Sequence, residues 1–235
     1  MSLKQQLSEG RLYSLTPHWR AKRDKAINDI AAMLRRCKRP YLALSWGKQS
    51  IVMAHMAWSL SPDVLCVHWT GPDAELIANF NSVSAEFLRR WPLNYLEIMR
   101  GEKLGVAVRD FVRQYSPDGV LVGISAFESR DRRITLRAGD TDNIFRYRSG
   151  VRSGMLRCCP LANWEIIELA AYISEHDIPL LNTYHRFGLA ARTSTACNEH
   201  GRTAGAINYM TRANAGEMRK RWREKHESEA NKNHI

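Results

Sequence analysis

The sequence lacks any apolar run that approaches the roughly 20 residues needed by a membrane-spanning helix. Its first residues, Met1 to Gln6, also lack the apolar core of a signal peptide. Cysteines are few, and their number, five, is odd, which favours free thiols or a metal site over paired structural disulfides. These absences predict a cytoplasmic protein with no membrane partner.

Acidic residues are outnumbered, since 24 Asp and Glu face 35 Lys and Arg and give a formal net charge of +11. An excess of this size favours anionic partners, either nucleotides or nucleic acid. The length of 235 residues is sufficient for one sizeable α/β core with an appendage, or for two small domains. Composition alone does not choose between these alternatives.

Short apolar segments alternate with segments of helical periodicity along the middle of the chain. They predict a helix from the N-cap Thr16 to Arg36, strands at 41–44, 64–69, 95–99, 120–124 and 144–147, and helices at 51–60, 73–90 and 102–115. This alternation predicts an α/β fold, a mostly parallel, twisted sheet with helices on both faces. Ligands of such sheets bind at the carboxyl ends of the strands.

A small polar turn, Ser45-Trp-Gly47-Lys48-Gln49-Ser50, lies between the first of these strands and the helix that follows it. The N–H groups of such a turn and the positive end of the helix dipole point at the same spot, where an anion is stabilised. Glycine lets the backbone approach the anion, and lysine adds a full positive charge. The spacing is not that of the Walker motif. The turn predicts a phosphate- or sulfate-binding site formed by Ser45, Gly47, Lys48, Gln49 and Ser50.

The turn resembles the pyrophosphate-binding loop, Ser-x-Gly-Lys-Asp-Ser, of the adenine nucleotide alpha-hydrolase (PP-loop) superfamily, with Gln49 in the position of the Asp. Two later segments are similar, in the same order, to motifs of the phosphoadenylylsulfate (PAPS) reductase family of that superfamily. Gly123 to Arg133 resembles Gly-x-Arg-x-x-Glu-Ser-x-x-Arg, with Ser125 in place of the first Arg. Cys159 to Tyr184 resembles a segment that begins Pro-Leu-x-Asp-Trp and ends in an Ile-Pro turn and a Tyr, with Asn163 as helix N-cap in place of the Asp.

The resemblance implies roles for individual side chains. Gly123 would end a strand beside the nucleotide, and Glu128 would orient neighbouring groups. Arg132, together with Arg133, would neutralise phosphate or sulfate, for which planar guanidinium groups are suited. Since catalysis in the superfamily is mainly electrostatic stabilisation of an anionic leaving group, Lys48 and Arg132 are also the catalytic candidates.

The thiol nucleophile of PAPS reductases has only an approximate counterpart. Their Glu-Cys-Gly-x-His segment corresponds here to Thr195 to Gly201, which contains Cys197 but has a different residue order. A reactive thiol needs a cationic neighbour that lowers its pKa, and Arg192, His200 and Arg202 could supply one. Cys197 is therefore the third catalytic candidate, against the alternative of an ordinary loop cysteine.

The resemblance implies a Rossmann-like nucleotide-binding domain over 40–185, after a helical segment over 1–39 and before a basic, Arg-rich C-terminal extension over 186–235. Its leading implication is a sulfonucleotide oxidoreductase of the PAPS reductase type, with a thioredoxin-like reductant. One alternative is an ATP pyrophosphatase or adenylating transferase in sulfur-dependent modification of nucleic acid, and another is a non-catalytic nucleotide- or DNA-associated partner. Gln49 favours the sulfonucleotide enzyme because the usual Asp helps to hold Mg²⁺ in ATP-using members. PAPS, adenylylsulfate and ATP all stay open as substrates, and a homo-oligomer is compatible with the sequence.

A metal site is not predicted. Cys158 and Cys159, with Cys197 and His200, form only a weak zinc or iron–sulfur pattern, and the partner Cys-x-x-Cys pair of cluster-bearing reductases is absent. No cofactor is implied beyond the nucleotide and the Mg²⁺ that would accompany ATP. An Arg-rich stretch could clamp the far phosphate of the nucleotide, hold a larger polyanion such as DNA or tRNA, or be a solvated loop; its arginines are Arg137, Arg146, Arg148, Arg152 and Arg157.

Overall fold

The computed structural model describes residues 1–70, 74–99, 104–136 and 143–191. Its helices are α1 Leu3–Tyr13, α2 Pro17–Arg36, α3 Lys48–Leu60, α4 Ala74–Arg90, α5 Leu104–Tyr115, α6 Arg130–Leu136, α7 Ile166–His176 and α8 Asn182–Phe187. Its strands are β1 Pro40–Ala43, β2 Leu65–Thr70, β3 Asn94–Met99, β4 Gly119–Val122, β5 Ile144–Arg146 and β6 Leu156–Cys158. None of these helices is long and apolar enough to cross a membrane.

The strands form one sheet in the order β3-β2-β1-β4-β6-β5. Neighbouring strands are parallel except β5 and β6, which are antiparallel. Alternate strand residues enter two separate cores, with Leu42 and Leu121 in one and Tyr41 and Val120 in the other. Helices α2, α3, α4 and α7 contribute to the first core, and Phe111 of α5 contributes to the second. The predicted α/β fold, with a mostly parallel sheet and helices on both faces, is confirmed.

Helix α2 begins as the sequence predicts. Thr16 Oγ1 accepts a hydrogen bond from the Trp19 N–H at 3.2 Å, and Pro17 occupies the first helical position. Trp19 is completely buried, and its ring centroid lies 5.1 Å from that of Trp164. The cap therefore fixes α2 where its first turn packs against the segment that leads into α7.

The structure corrects the predicted start of α7. The helix begins at Ile166, and its N-cap is Glu165 rather than Asn163. A hydrogen-bonded turn over residues 161–164 precedes the helix and delays its start. Glu165 and Glu168 form a capping box, in which the Glu165 N–H donates to Glu168 Oε2 at 2.8 Å. Glu165 therefore occupies the N-cap position that the sequence pattern assigns to Asn163.

The sequence patterns do not predict α1 or β6. Helix α1 packs against α7 so closely that a Cβ atom on Gly10 would lie 2.4 Å from the carbonyl carbon of Ala170. Gln6 of the same helix accepts a hydrogen bond from the Leu189 N–H at 2.7 Å through its side-chain oxygen. Helix α1 is therefore held by contacts with residues far away in the sequence, which local periodicity does not report.

Two histidines lie together between α3 and α7. The ring centroids of His55 and His176 are 4.7 Å apart, and His55 Nδ1 lies 2.8 Å from the Tyr172 hydroxyl. Burial, with His176 and Arg90 as smaller causes, lowers the pKa of His55 from 6.5 to about 4. Burial also lowers the pKa of His176. The folded protein therefore resists protonation at these rings in a pH range where the unfolded chain accepts protons.

This difference predicts a loss of stability on acidification. Because the unfolded chain binds a proton at residue 55 below about pH 6.5 and the folded protein only near pH 4, the free energy of unfolding falls across that window. His55→Asn keeps a hydrogen-bonding group beside Tyr172 but does not titrate. Urea unfolding at about pH 7 and about pH 5 should show a smaller loss in this variant than in the wild type, by on the order of 1 kcal/mol. The matched control is the same exchange at an exposed position of α2, His18→Asn. Equal losses in His55→Asn and the wild type would contradict the assignment.

Candidate nucleotide site

The polar turn lies at the carboxyl end of β1, a central strand of the sheet, and leads directly into α3. Its serines hold it closed, since the Ser45 N–H donates to Ser50 Oγ at 3.2 Å and the two hydroxyl oxygens are 3.0 Å apart. Ser50 Oγ also lies 3.0 Å from the Gly47 carbonyl, to which it donates. Trp46 has a left-handed φ of 57°, and its indole is buried against Phe87 and Tyr95. The turn is thus shaped by internal hydrogen bonds and by the core.

Helix α3 starts at Lys48, three residues before the predicted start at 51. Its N-cap is Gly47, which makes no side-chain capping bond. The Lys48 N–H donates to the Tyr184 hydroxyl at 3.1 Å, and within the described residues no acceptor is recorded for the N–H groups of Gln49 and Ser50. The positive end of α3 is therefore built to accept an anion.

The Lys48 side chain joins the turn to the second motif. It is 3% exposed, and its Nζ lies 3.4 Å from Glu128 Oε1 and 3.1 Å from the Ala191 carbonyl oxygen. Glu128 forms a second ion pair with Arg132, one turn later. The chain folds so that Lys48, Glu128 and Arg132 form one connected row of charges.

Gly123 allows β4 to approach the start of α3. A Cβ atom on Gly123 would lie 2.8 Å from the Ser50 backbone nitrogen and 2.9 Å from the carbonyl carbon of Gln49. Real Cβ atoms do not come this close to backbone atoms, so no larger residue fits without moving the turn. Sequence reasoning places Gly123 beside the nucleotide, and the structure places it directly against the predicted phosphate loop.

Ser125 has a structural position in this protein. Its side chain is 1% exposed, its hydroxyl donates to the Trp164 carbonyl at 2.5 Å, and it accepts from the Phe127 N–H at 3.2 Å. The buried Ser125 hydroxyl therefore has its donor and an acceptor site satisfied by backbone groups of the protein. The anion contact that an arginine makes in the resembling family is therefore not made by residue 125.

A cavity of about 570 Å³ opens beside Lys48 and Gln49. Its wall combines the turn and the segment after β4 with residues of α1, of the entry to α7 and of the segment after α8; they include Met1, Gln6, Glu9, Ser125, Glu128, Trp164, Leu189 and Ala190. Sequence reasoning missed the contribution of α1, although Ser2-x-x-Gln5 is a capping-box signal for the start of that helix. It also missed the roles of Tyr184 and Ala191, whose contacts with Lys48 span more than 130 residues of sequence.

The remaining candidates lie apart from this cavity or outside the described residues. Arg133 is exposed on α6 and is not among the described residues that line this cavity. Cys197, Arg137, Arg192, His200 and Arg202 lie outside the described residues.

The adjacent cysteines are both buried. The Cys158 thiol lies 3.6 Å from the Asp29 carbonyl oxygen, and Cys159 Sγ accepts from Arg157 Nε at 3.1 Å. Burial raises the pKa of the Cys159 thiol, an effect that Arg157 partly offsets. Within the part of the chain that the structure describes, no three His, Cys, Asp or Glu side chains are grouped as metal ligands would be.

The arginines between β5 and β6 lie at the wrong end of the sheet for a phosphate clamp. Gly119, which begins β4, is level with Pro40 of β1 and Leu156 of β6. Because Arg146 pairs with Leu156 in the antiparallel register, the hairpin that contains Arg148 and Arg152 extends from the amino-terminal edge. The phosphate loop lies at the carboxyl edge. Of the three alternatives for the Arg-rich stretch, a clamp on the far phosphate is therefore disfavoured for Arg148 and Arg152, whereas Arg137 lies outside the described residues.

No protein-family model and no curated protein matches the sequence. The structure is nevertheless similar to PAPS reductase from Candida auris in a phosphate complex, with a TM-score of 0.52 and 14% identity over 74% of this chain and 88% of that one. It is equally similar to yeast FAD synthetase (Fad1) in complex with FAD, with a TM-score of 0.52 and 16% identity over 79% of this chain and 72% of that one. Both are enzymes of the adenine nucleotide alpha-hydrolase superfamily. The chain therefore shares the fold of these two enzymes, a mostly parallel, Rossmann-like sheet with helices on both faces.

Proposed function

We propose that the protein is an enzyme that binds an adenine nucleotide with its phosphate or sulfate groups on the turn Ser45 to Ser50. The observation that carries this proposal is the row of charges Lys48–Glu128–Arg132, which ends at the uncapped start of α3. Two cations face one carboxylate, so the row has one positive charge in excess. Placed at a helix N-terminus, this excess favours an incoming anion.

Among adenine nucleotides we favour a sulfonucleotide, and a reaction of the PAPS reductase type. Gln49 is a buried neutral amide at the cavity, where an ATP-using loop would have a carboxylate for Mg²⁺. Glu128, whose Oε1 lies 3.4 Å from Lys48 Nζ, is already paired with two cations. These donors do not form a resident magnesium site, so Mg²⁺ would enter only with ATP, and no step is assigned to it.

In such a reaction the Cys197 thiolate would attack the sulfur atom of the sulfonucleotide. The sulfur–oxygen bond to the nucleotide breaks, the nucleotide leaves as an anion, and the sulfonate stays on the cysteine. A dithiol reductant of the thioredoxin type then attacks the cysteine sulfur, releases sulfite and is itself oxidised to a disulfide. Lys48 and Arg132 would stabilise the charge that develops on the leaving nucleotide.

A second candidate is an ATP pyrophosphatase that adenylates its substrate. The specific observation in its favour is the residue order around Cys197, which does not reproduce the Glu-Cys-Gly-x-His segment of the reductases. In that reaction Lys48 and Arg132 would stabilise the departing pyrophosphate. The two candidates therefore share the binding residues and differ in whether a thiol is needed.

Calorimetric titration with PAPS, adenylylsulfate and ATP, each with and without Mg²⁺, followed by an assay of thioredoxin-dependent sulfite release, separates the candidates. The reductase predicts PAPS or adenylylsulfate binding without Mg²⁺ and sulfite release that is lost in Cys197→Ser. The matched control is Cys37→Ser, at the far edge of the sheet, which should retain sulfite release. Magnesium-dependent ATP binding with release of pyrophosphate would overturn the reductase assignment in favour of the second candidate. Nucleotide binding without turnover would overturn both.

A further inference from the structure

Positively charged side chains cover the amino-terminal edge of the sheet, opposite the phosphate loop. The connection from α2 to β1 and the β5–β6 hairpin meet there, since the Asp118 carboxylate accepts from the Lys38 and Arg39 N–H groups at 2.7 and 2.8 Å and the Asp118 carbonyl accepts from the Leu156 N–H at 3.0 Å. We call this region the amino-edge surface, and it comprises Arg35, Lys38, Arg39, Arg146, Arg148, Arg152 and Arg157.

The charge of the amino-edge surface is not balanced by its neighbours. Elsewhere in the described residues, cations pair with carboxylates, as in Lys22–Glu168 at 2.8 Å and Arg90–Asp177 at 3.3 Å. None of the seven amino-edge side chains makes such a pair within the described residues. Asp118, which lies among them, is already bonded to two backbone N–H groups. An ordinary solvated face has similar numbers of positive and negative side chains, whereas here seven cations outnumber the carboxylates of Asp118 and of Asp63, which lines a cavity with Lys38 and Arg39.

Two arginines beside the hairpin turn lie next to tyrosine hydroxyls. The Arg152 guanidinium neighbours the Tyr41 hydroxyl, and the Arg157 guanidinium neighbours the Tyr147 hydroxyl. Arg152 Nε and Arg157 Nη2 are buried, so both side chains are held within the fold. The guanidinium of Arg157 lies 5.4 Å from the centre of the Phe145 ring, and that of Arg152 lies 5.8 Å from the centre of the Tyr147 ring. These stacked contacts fix the two cations beside aromatic surfaces.

An open cavity of about 650 Å³ lies along the same hairpin. It is lined by both aromatic residues and by three of the seven cations, Arg146, Arg148 and Arg157. The cations continue beyond it onto the α2–β1 connection, where Lys38 and Arg39 are exposed. The charged region is therefore wider than a single phosphate group and contains partly exposed aromatic rings at one end.

We propose that the amino-edge surface binds single-stranded nucleic acid through its sugar-phosphate backbone. Guanidinium groups bind phosphate oxygens bidentately, and cations on two separate elements match a chain that carries phosphates at intervals. Phe145 and Tyr147 would stack on bases, a contact that an acidic protein does not offer. The surface lies at the opposite edge of the sheet from the phosphate loop, so this inference does not rest on the proposed function.

Fluorescence anisotropy of the full chain with labelled single-stranded DNA and RNA of about 20 nucleotides tests the proposal, over a range of salt concentrations. The test variant is Lys38→Glu/Arg148→Glu, with one exposed substitution on each element. The matched control is Lys4→Glu/Arg11→Glu, which makes the same change of charge on exposed positions of α1. The test variant should bind at least about tenfold more weakly than the control, with a log–log salt slope shallower by about 1.4 because two phosphate contacts are lost.

A single substitution, Arg148→Gln, should weaken oligonucleotide binding by a smaller factor than the double variant. This variant controls for the possibility that the double variant misfolds. Equal affinity of the test and control variants would overturn the proposal, because binding would then depend on net charge or on the basic residues after 191. Displacement of the oligonucleotide by poly-glutamate as effectively as by unlabelled oligonucleotide would also overturn it, in favour of an acidic protein partner.

Discussion

Replacing Lys48 with alanine should weaken nucleotide binding by about 2–5 kcal/mol, or at least roughly 30-fold. The Lys48 ammonium group is already buried in the free protein, so the cost of removing it from water belongs to folding and not to nucleotide binding. The electrostatic attraction between Lys48 and the nucleotide therefore contributes to affinity without that cost. Removal of Lys48 has a second effect, because Glu128 loses one of its two cations and its negative charge then opposes the anion. The loss should therefore exceed that of a single surface contact.

The double variant Lys48→Ala/Glu128→Gln separates the two effects. Neutralising Glu128 removes the repulsion, so this protein should bind nucleotide more tightly than Lys48→Ala, although less tightly than the wild type. Calorimetric titration measures both affinities. The matched control is Lys25→Ala, which breaks the 2.8 Å ion pair with Asp29 on α2 and should lower stability without changing nucleotide affinity. Unchanged binding in Lys48→Ala would show that the nucleotide lies elsewhere.

Substitution of Gly123 with alanine should damage both stability and binding. The added methyl group would lie 2.8 Å from the Ser50 nitrogen, and since the opposing atoms are backbone, the turn itself has to move. Overpacking of this kind costs about 1–3 kcal/mol of unfolding free energy. The same shift displaces the N–H groups of Gln49 and Ser50 that would hold the anion, so we expect nucleotide affinity to fall by at least roughly tenfold.

Gly105→Ala is the matched control for this substitution. Gly105 lies in α5, and a Cβ atom there would have no heavy atom of the described residues within 4 Å. Because alanine favours helix more than glycine does, this variant should be unchanged or more stable by up to about 1 kcal/mol. Urea unfolding and calorimetric titration of both variants make the comparison. Wild-type affinity in Gly123→Ala would contradict the contact between β4 and the phosphate loop.

The fold could be predicted wherever its determinants are local. The strand at Tyr41 and the cap at Thr16 are each specified by residues within a few positions, and both are found close to where the sequence predicts them. Helix α1 depends on Gly10 meeting Ala170 across the molecule, and no local pattern contains that information. The cap of α7 moved from Asn163 to Glu165 because the preceding turn, formed by backbone hydrogen bonds, competes with the helix for the same residues.

In the candidate site, too, contacts between recognisable motifs could be predicted from the sequence, whereas other long-range contacts could not. The contact of Lys48 with Glu128 follows from two motifs whose spacing the sequence displays. Lys48 also contacts Tyr184 in α8 and Ala191 after it. These residues are more than 130 positions from Lys48 in sequence, so no local pattern predicts the contacts. The sequence leaves three roles open for the arginines near Arg148, because the edge on which they lie depends on strand direction. The antiparallel pairing of β5 with β6 places their hairpin at the amino-terminal edge.

Trp46 bears on how fast a ligand would bind at the candidate nucleotide site. A bulky residue with a left-handed φ of 57° costs about 1–2 kcal/mol, which the turn retains because the indole is packed against Phe87 and Tyr95. The shape of the turn is therefore set when the protein folds and before any ligand arrives. Nucleotide binding then requires little further loss of backbone entropy, so the association rate should depend on the encounter of the anion with the cavity and on ionic strength.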